Sequence, residues 1–367
     1  MHSKALDVLS PPKELMHKKK NMFLLLLATV LLIFPAAASA KKKDKAAGAT
    51  GETTGTPVLW REPADITSRN LLYGPGGMDH QPRGTLTFVK EDMEGTNPKF
   101  IVRSEDGVKW KLKLGSEAKP ETVASRLLWA AGYFASEDYF LADVQVKNLP
   151  AHPHRGQKWI EPDGTMHDVR LKRYLAGEKK TGTWEWRNNP FTGAREFNGL
   201  RVLMAVINNW DLKDINNAIY REKDQELVYM VSDLGASFGT TRLERSHEKA
   251  KGNLDSYAKS KFILKANDDY VDFDDPHRPA NIIIANPHEF VSRLNMEWIG
   301  KHIPRADAQW MGHILAKLSP EQIRDAFRSA GYSPEDVEGF AGVLESRIAE
   351  LKQLQQPGIA KLFPSIY

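Results

Sequence analysis

The chain has 367 residues, 41% of them hydrophobic, with 51 Lys and Arg against 47 Asp and Glu and no Cys. That length accommodates one large or two small domains with ample core, and the missing Cys excludes disulfides, thiolate nucleophiles and Cys-ligated zinc. Most of the net charge of +4 sits in residues 1–40, where five Lys (4, 13, 18, 19 and 20) face only Asp7 and Glu14, so the rest is near neutral and a nucleic-acid partner is not expected.

Lys18-Lys19-Lys20, the apolar run 22–34 and the small residues ending at Ala40 predict a secretory signal peptide over 1–40. Thirteen apolar residues cover about 20 Å as a helix, short of a hydrocarbon core of about 30 Å, so no stable membrane span is expected after cleavage. Met16 offers an alternative start with a leader of 25 residues. Residues 41–57 are rich in Lys, Gly, Ala and Thr and predict a flexible linker. Strands are predicted over 84–90, 99–104 and 108–114, the last two joined by Asp106-Gly107. A helix over 121–133 would place Val123, Leu127, Leu128 and Ala131 on one face, with strands to follow at 139–146 and 168–174. A second helix is predicted over 196–209, then a hairpin of strands 217–220 and 227–231. From about 285 the pattern is helical, with start signals at Ser319-Pro320-Glu321-Gln322 and Ser333-Pro334.

The chemistry is concentrated in Asp211-Leu212-Lys213-Asp214-Ile215-Asn216, followed across the hairpin by Asp233-Leu234-Gly235. Phosphoryl transfer requires a carboxylate beside the attacking hydroxyl and oxygen ligands for the magnesium that neutralises the phosphates. Asp211, Asn216 and Asp233 are the right residue types, in the order and five-residue Asp-to-Asn spacing that protein kinases use. The competing structural reading makes Asp211 a helix cap, Asn217 a turn residue and Asp233 an ordinary strand-to-loop exit.

These residues resemble the HipA-like branch of the protein-kinase-like superfamily, with looser similarity to the CotH spore-coat kinases and the secretory-pathway kinases. Asn209, Asp211 and Asn216 match the catalytic run of that branch, Gly95-Thr96-Asn97-Pro98-Lys99 resembles its phosphate loop, and Leu112-Lys113-Leu114-Gly115 its nucleotide-binding strand end. The resemblance spans about 84–240. It implies ATP and Mg2+ as cofactors. Lys113 would hold the α- and β-phosphates, Gly95, Thr96 and Lys99 would line the phosphate loop, Asp211 would orient or deprotonate the acceptor, and Asn216 and Asp233 would bind the metal. Adenine would sit near 173–176. Lys109, Lys111 and Lys113 share one strand face, so Lys111 stays open as the nucleotide lysine. Glu121 is the candidate ion-pair partner, or a first-turn Glu serving the helix dipole. Three departures stand out: Lys213 in place of a His, Leu234 in place of Phe, and one Gly in the phosphate loop.

The remaining signals are weaker. Five Asp between 268 and 275 read as a solvated loop, since a calcium loop would need a Gly. Trp184 and Trp186 are core packing or a substrate platform, and His152 and His154 lack a nearby acid for zinc. The expectation is therefore an α+β, two-lobed kinase-like fold: a small antiparallel sheet with one helix over 58–175, and a mostly helical lobe over 176–367. Its function would be that of an exported, periplasmic or secreted ATP-dependent phosphotransferase acting on a hydroxyl of a protein or small molecule. The alternative is a non-catalytic exported binding module.

Overall fold

The computed structural model describes residues 55–354, apart from 96, 223–224, 241–248, 275–290 and 292–293. The predicted signal segment, the linker up to 54, Thr96 and Asp275 lie outside the described residues. The architecture is mixed α+β. Strand β1 (Thr56–Val58) takes up the last two residues of the stretch read as linker and pairs in parallel with β9 (Glu226–Val231).

Strands β2 (Leu86–Asp92), β3 (Lys99–Arg103), β4 (Lys109–Lys113), β5 (Asp138–Lys147) and β6 (Thr165–Arg173) form a closed barrel in the order β2-β3-β4-β6-β5. This is more than the antiparallel sheet expected from sequence, because Leu86 and Thr87 pair in parallel with Val146 and Lys147 and close the ring. Alternation along each strand sends Phe100, Val102, Trp110, Leu112, Val169 and Leu171 inward, all nearly inaccessible. A register shift between Phe88 and Lys90 bends the end of β2 towards the loop that carries Gly95.

Helix α1 (Ala118–Ala130) starts three residues earlier than the sequence pattern suggests, because Pro120 is tolerated in a first turn whose N–H groups have no helical partner. Almost every α1 side chain is buried, since the helix is covered by the barrel on one side and by the helical region on the other. Beyond the barrel, β7 (Lys179–Gly182), β8 (Asn217–Arg221), β9 and β1 make a second sheet. It precedes and follows α2 (Arg195–Val206). In a third small sheet of β10 (Ile263–Ala266), β11 (Tyr270–Phe273) and β12 (Ile303–Pro304), Asp268 and Asp269 lie in the exposed turn between β10 and β11, whereas Asp272 lies in β11 and accepts from the His302 N–H at 2.7 Å. Helices α3 (Leu254–Lys259), α4 (Arg305–Leu315), α5 (Pro320–Arg328) and α6 (Pro334–Gln353) complete the described chain. Ser319 and Gln322 form the capping box their spacing predicts. Among the described residues no helix is long and apolar enough to cross a membrane.

Candidate active site

One wall of the site is built by the end of β4. Leu112 and Leu114 turn into the barrel, so Lys113 between them faces α1 and is only 2% exposed. Its Nζ lies 2.8 Å from Glu121 and 3.2 Å from Asp233, and it also pairs with Glu117. Burial disfavours the ammonium, but the surrounding Asp233, Glu121 and Glu117 outweigh it and raise its pKa well above the usual lysine value. The other lysines of the strand go elsewhere: Lys111 pairs with Asp92 on β2 at 2.8 Å, and Lys109 lies over the Tyr174 ring.

Glu117 and Glu121 stand one turn apart at the start of α1, after Gly115, whose φ of +100° suits glycine. Glu121 also meets Arg170 of β6 at 3.2 Å, and Arg170 meets Asp138 of β5 at 2.8 Å. Burial raises the Glu121 carboxyl, and Arg170 and Lys113 only partly offset it. Glu117 is held on its second oxygen by Lys251 at 2.6 Å. Burial pushes its carboxyl up, but Lys113 and Lys251 together hold it well below the usual range. Glu117, Arg170, Asp138 and Lys251 were not singled out from sequence. The only sequence hint was the four-residue spacing of Lys113, Glu117 and Glu121.

The Gly95 loop closes over the same end of the barrel. Gly95 has a φ of +65°, and its carbonyl accepts from Arg155 at 2.6 Å, while Arg155 also donates to the Asp92 carbonyl. A strap from the β5–β6 connection thus fixes a loop that has a single glycine. Lys99 points beneath it, with Nζ 3.4 Å from the Glu94 carbonyl. Burial and the nearby Lys113 lower its pKa. His154 joins this strap through its own N–H, which donates to Glu91 at 2.9 Å.

The opposite wall follows α2. Arg347 of α6, 2% exposed, donates to the Ala205 and Val206 carbonyls at 3.0 Å each, placing a cation at the helix C-terminus. The chain then turns at Asn208, with φ of +50°, and Phe238 and Trp210 hydrogen-bond across between segments 207–210 and 236–238. Asn216 donates its side-chain amide to the Asp211 carbonyl at 2.6 Å and to Asp211 Oδ2 at 3.2 Å. Lys213 lies 3.0 Å from Asp211 Oδ1. The Asn216 carbonyl accepts from Ser232 and Asp233 N–H at 2.8 and 3.1 Å, so the loop is stitched directly to the Asp233 turn. Burial pushes the Asp233 carboxyl up, but Lys113 reverses this and lowers it below its ordinary value. A Cβ on Gly235 would lie 2.5 Å from Glu117, so only glycine lets the two walls approach this closely.

The structure therefore brings Lys113, Glu121, Asp233, Asn216 and Asp211 into one connected set, with Gly95 and Lys99 above Lys113. Trp184 and Trp186 do not form a platform. They are 4% and 2% exposed, packed on each other and on Phe197, and the Trp186 N–H donates to Asp214 at 2.9 Å. Within 173–176, the Arg173 and Tyr174 N–H groups are taken by the Glu137 and Lys109 carbonyls at 3.0 Å.

No protein-family model and no curated protein matches the chain. Among solved structures, it is similar to the Helicobacter pylori proinflammatory kinase CtkA, with 11% identity and a TM-score of 0.41 over 74% of this chain and 98% of that one. It is also similar to a Golgi casein kinase, with 12% identity and a TM-score of 0.29 over 74% of this chain and 73% of that one.

Proposed function

We propose that the protein is an exported, kinase-like phosphotransferase that moves a phosphoryl group from ATP to a hydroxyl of a protein or small-molecule acceptor. The observation that carries this reading is the contact of Lys113 with both Glu121 at 2.8 Å and Asp233 at 3.2 Å, while Asn216 ties the Asp233 turn to Asp211. Residues 120 positions apart are brought together in the arrangement that phosphoryl transfer needs: a cation for phosphates, hard oxygen donors for a metal, and a carboxylate at the acceptor.

Magnesium fits this donor set. Asn216 spends its amide nitrogen on Asp211, which leaves the carbonyl oxygen as the donor a hard cation takes, and Asp233 supplies carboxylate oxygens. When bound there, the ion neutralises charge on the phosphates. Lys113, fixed by Glu121, positions the phosphates, and Lys99 adds a second cation under the Gly95 loop. Asp211 accepts the hydroxyl proton or orients the hydroxyl, with Lys213 stabilising its carboxylate at 3.0 Å. The base would lie against Leu175 and Ala176.

The test is direct. Purified protein is incubated with ATP and magnesium, and its mass is followed: addition of phosphate supports kinase activity, and addition of AMP redirects the reading to nucleotidyl transfer. Asp233→Ala is expected to abolish the magnesium-dependent thermal shift caused by ATP. Asp211→Ala is expected to keep the shift and to lower turnover by about 10²–10⁴-fold. Full transfer activity in the Asp233 variant overturns the assignment. A second reading, a non-catalytic nucleotide- or protein-binding module, is favoured by one observation, the three carboxylates already gathered on Lys113. It predicts no change in mass, and a protein-binding module also predicts no ATP-induced shift. Fractionation of expressing cells tests export.

A further inference from the structure

Lys113 has more partners than a phosphate-binding lysine needs. An ammonium carries three N–H donors, and here three carboxylates, Glu117, Glu121 and Asp233, surround it. Lys113 donates hydrogen bonds to Glu121 and Asp233 and meets Glu117 as an ion pair, so a phosphate oxygen that reaches Lys113 must displace one of the three. The three are not equivalent. Glu121 is 2% exposed, and its other oxygen is bound to Arg170 at 3.2 Å, so moving it would strand a second buried cation. Asp233 is fixed by its own turn, where the Gly235 N–H lies 3.4 Å from Oδ1.

Glu117 is distinguished by a second cation rather than by exposure, since the Asp233 side chain is 37% exposed against 10% for Glu117. It stands at the very start of α1, and its other oxygen already has that cation, Lys251, at 2.6 Å. Lys251 belongs to the chain that follows the Asp233 turn, and Gly235 packs directly on Glu117. Released from Lys113, Glu117 would remain neutralised by Lys251 and by the helix N-terminus.

We propose that Glu117 is a built-in competitor for Lys113: a carboxylate that a nucleotide phosphate displaces, and that Lys251 then retains. This rests on the phosphotransferase reading only in naming a nucleotide phosphate as the displacing anion. It makes Glu117 a positioning residue whose charge sets nucleotide affinity, and it gives the two glutamates of one helix opposite roles. Glu117→Gln preserves shape and an acceptor for Lys251 but removes the competing charge, so it tightens nucleotide binding by roughly five- to tenfold. Glu121→Gln, four residues along the same helix, loosens it. Lys251→Met removes the retaining cation, keeps Glu117 on Lys113, and also loosens it.

Calorimetric titration of the full chain with the non-hydrolysable analogue AMP-PNP and magnesium decides the matter, with thermal unfolding used to check that each variant is folded. Tighter binding by Glu117→Gln together with weaker binding by Glu121→Gln is the expected result. Unchanged or weaker binding by a folded Glu117→Gln, with wild type binding normally, overturns the competitor role and leaves the phosphotransferase reading intact. If Glu117→Gln does not fold, Lys251→Met carries the test: weaker binding supports the role and unchanged binding removes it. Absence of binding by wild type and by every folded variant removes both readings.

Discussion

The two walls of the cleft are built on different principles. The wall around Lys113 is a buried chain of charges, Lys251–Glu117–Lys113–Glu121–Arg170–Asp138, in which each member has a partner of opposite sign. The wall around Asp211 is more open: Asp211 and Lys213 are 27% and 30% exposed, and the loop is positioned by backbone hydrogen bonds to the Asp233 turn. In the first wall, removing Arg170 would leave Glu121 and Asp138 without their shared cation, whereas Lys113 keeps two acids when one of its three is removed. In the second, the partly exposed side chains of Asp211 and Lys213 can change at less cost to the fold than the buried charges of the first. On the proposed reading, the end that would grip phosphate is over-determined, while the end that would meet the acceptor is more open.

The sharpest way to break this contrast is Arg170→Met. Glu121 and Asp138 would lose their shared cation inside the barrel wall, and a destabilisation of about 3–5 kcal/mol is expected in chemical denaturation. A loss near 1 kcal/mol would show that the network relaxes and that the two walls are alike.

Acidification sharpens it next. Glu117 and Asp233 titrate in the folded protein below their ordinary values of 4.5 and 3.8. Their contribution to stability is therefore complete above those values and is lost as pH falls through the lowered ones. Wild type should lose melting temperature below about pH 4.5, and Glu117→Gln should lose several degrees less over the same interval. Equal acid sensitivity would remove Glu117 from the list of stabilising groups.

The smallest effect is a control far from the cleft. Ser319→Ala deletes half of the α5 capping box and should cost about 1 kcal/mol without altering nucleotide binding.

Much of this arrangement was legible in the sequence, and what escaped has physical reasons. The Asp211-to-Asn216 spacing and the following hairpin are local features, so their pattern survives in one dimension. Which lysine of β4 enters the cleft is not local, since alternation puts Lys111 and Lys113 on the same face. The choice is made by β2, which lies beyond the neighbouring β3 and offers Asp92 to Lys111, and by α1, which offers acids to Lys113. Arg170 lay hidden because a buried cation in a strand looks like any solvent-facing one until its acids come from two other elements. Trp184 and Trp186, two apart, allow core packing or a substrate platform by sequence, and their packing on Phe197 of α2 bears out the core reading. Strands β1 and β7 are too short and polar to show a period, and closure of the barrel depends on a parallel pairing about 60 residues apart in sequence, which no turn signal announces.

The pairing of β1 with β9 has a mechanical consequence. The two strands run parallel, with Thr56 beside Glu226 and Val58 beside Val228, and β9 leads directly into Ser232 and Asp233. Tension applied to the chain ahead of Thr56 would load these hydrogen bonds in shear along the strand that feeds the Asp233 turn. Strain on the chain ahead of Thr56 and the position of the Asp233 carboxylate thus share one mechanical element.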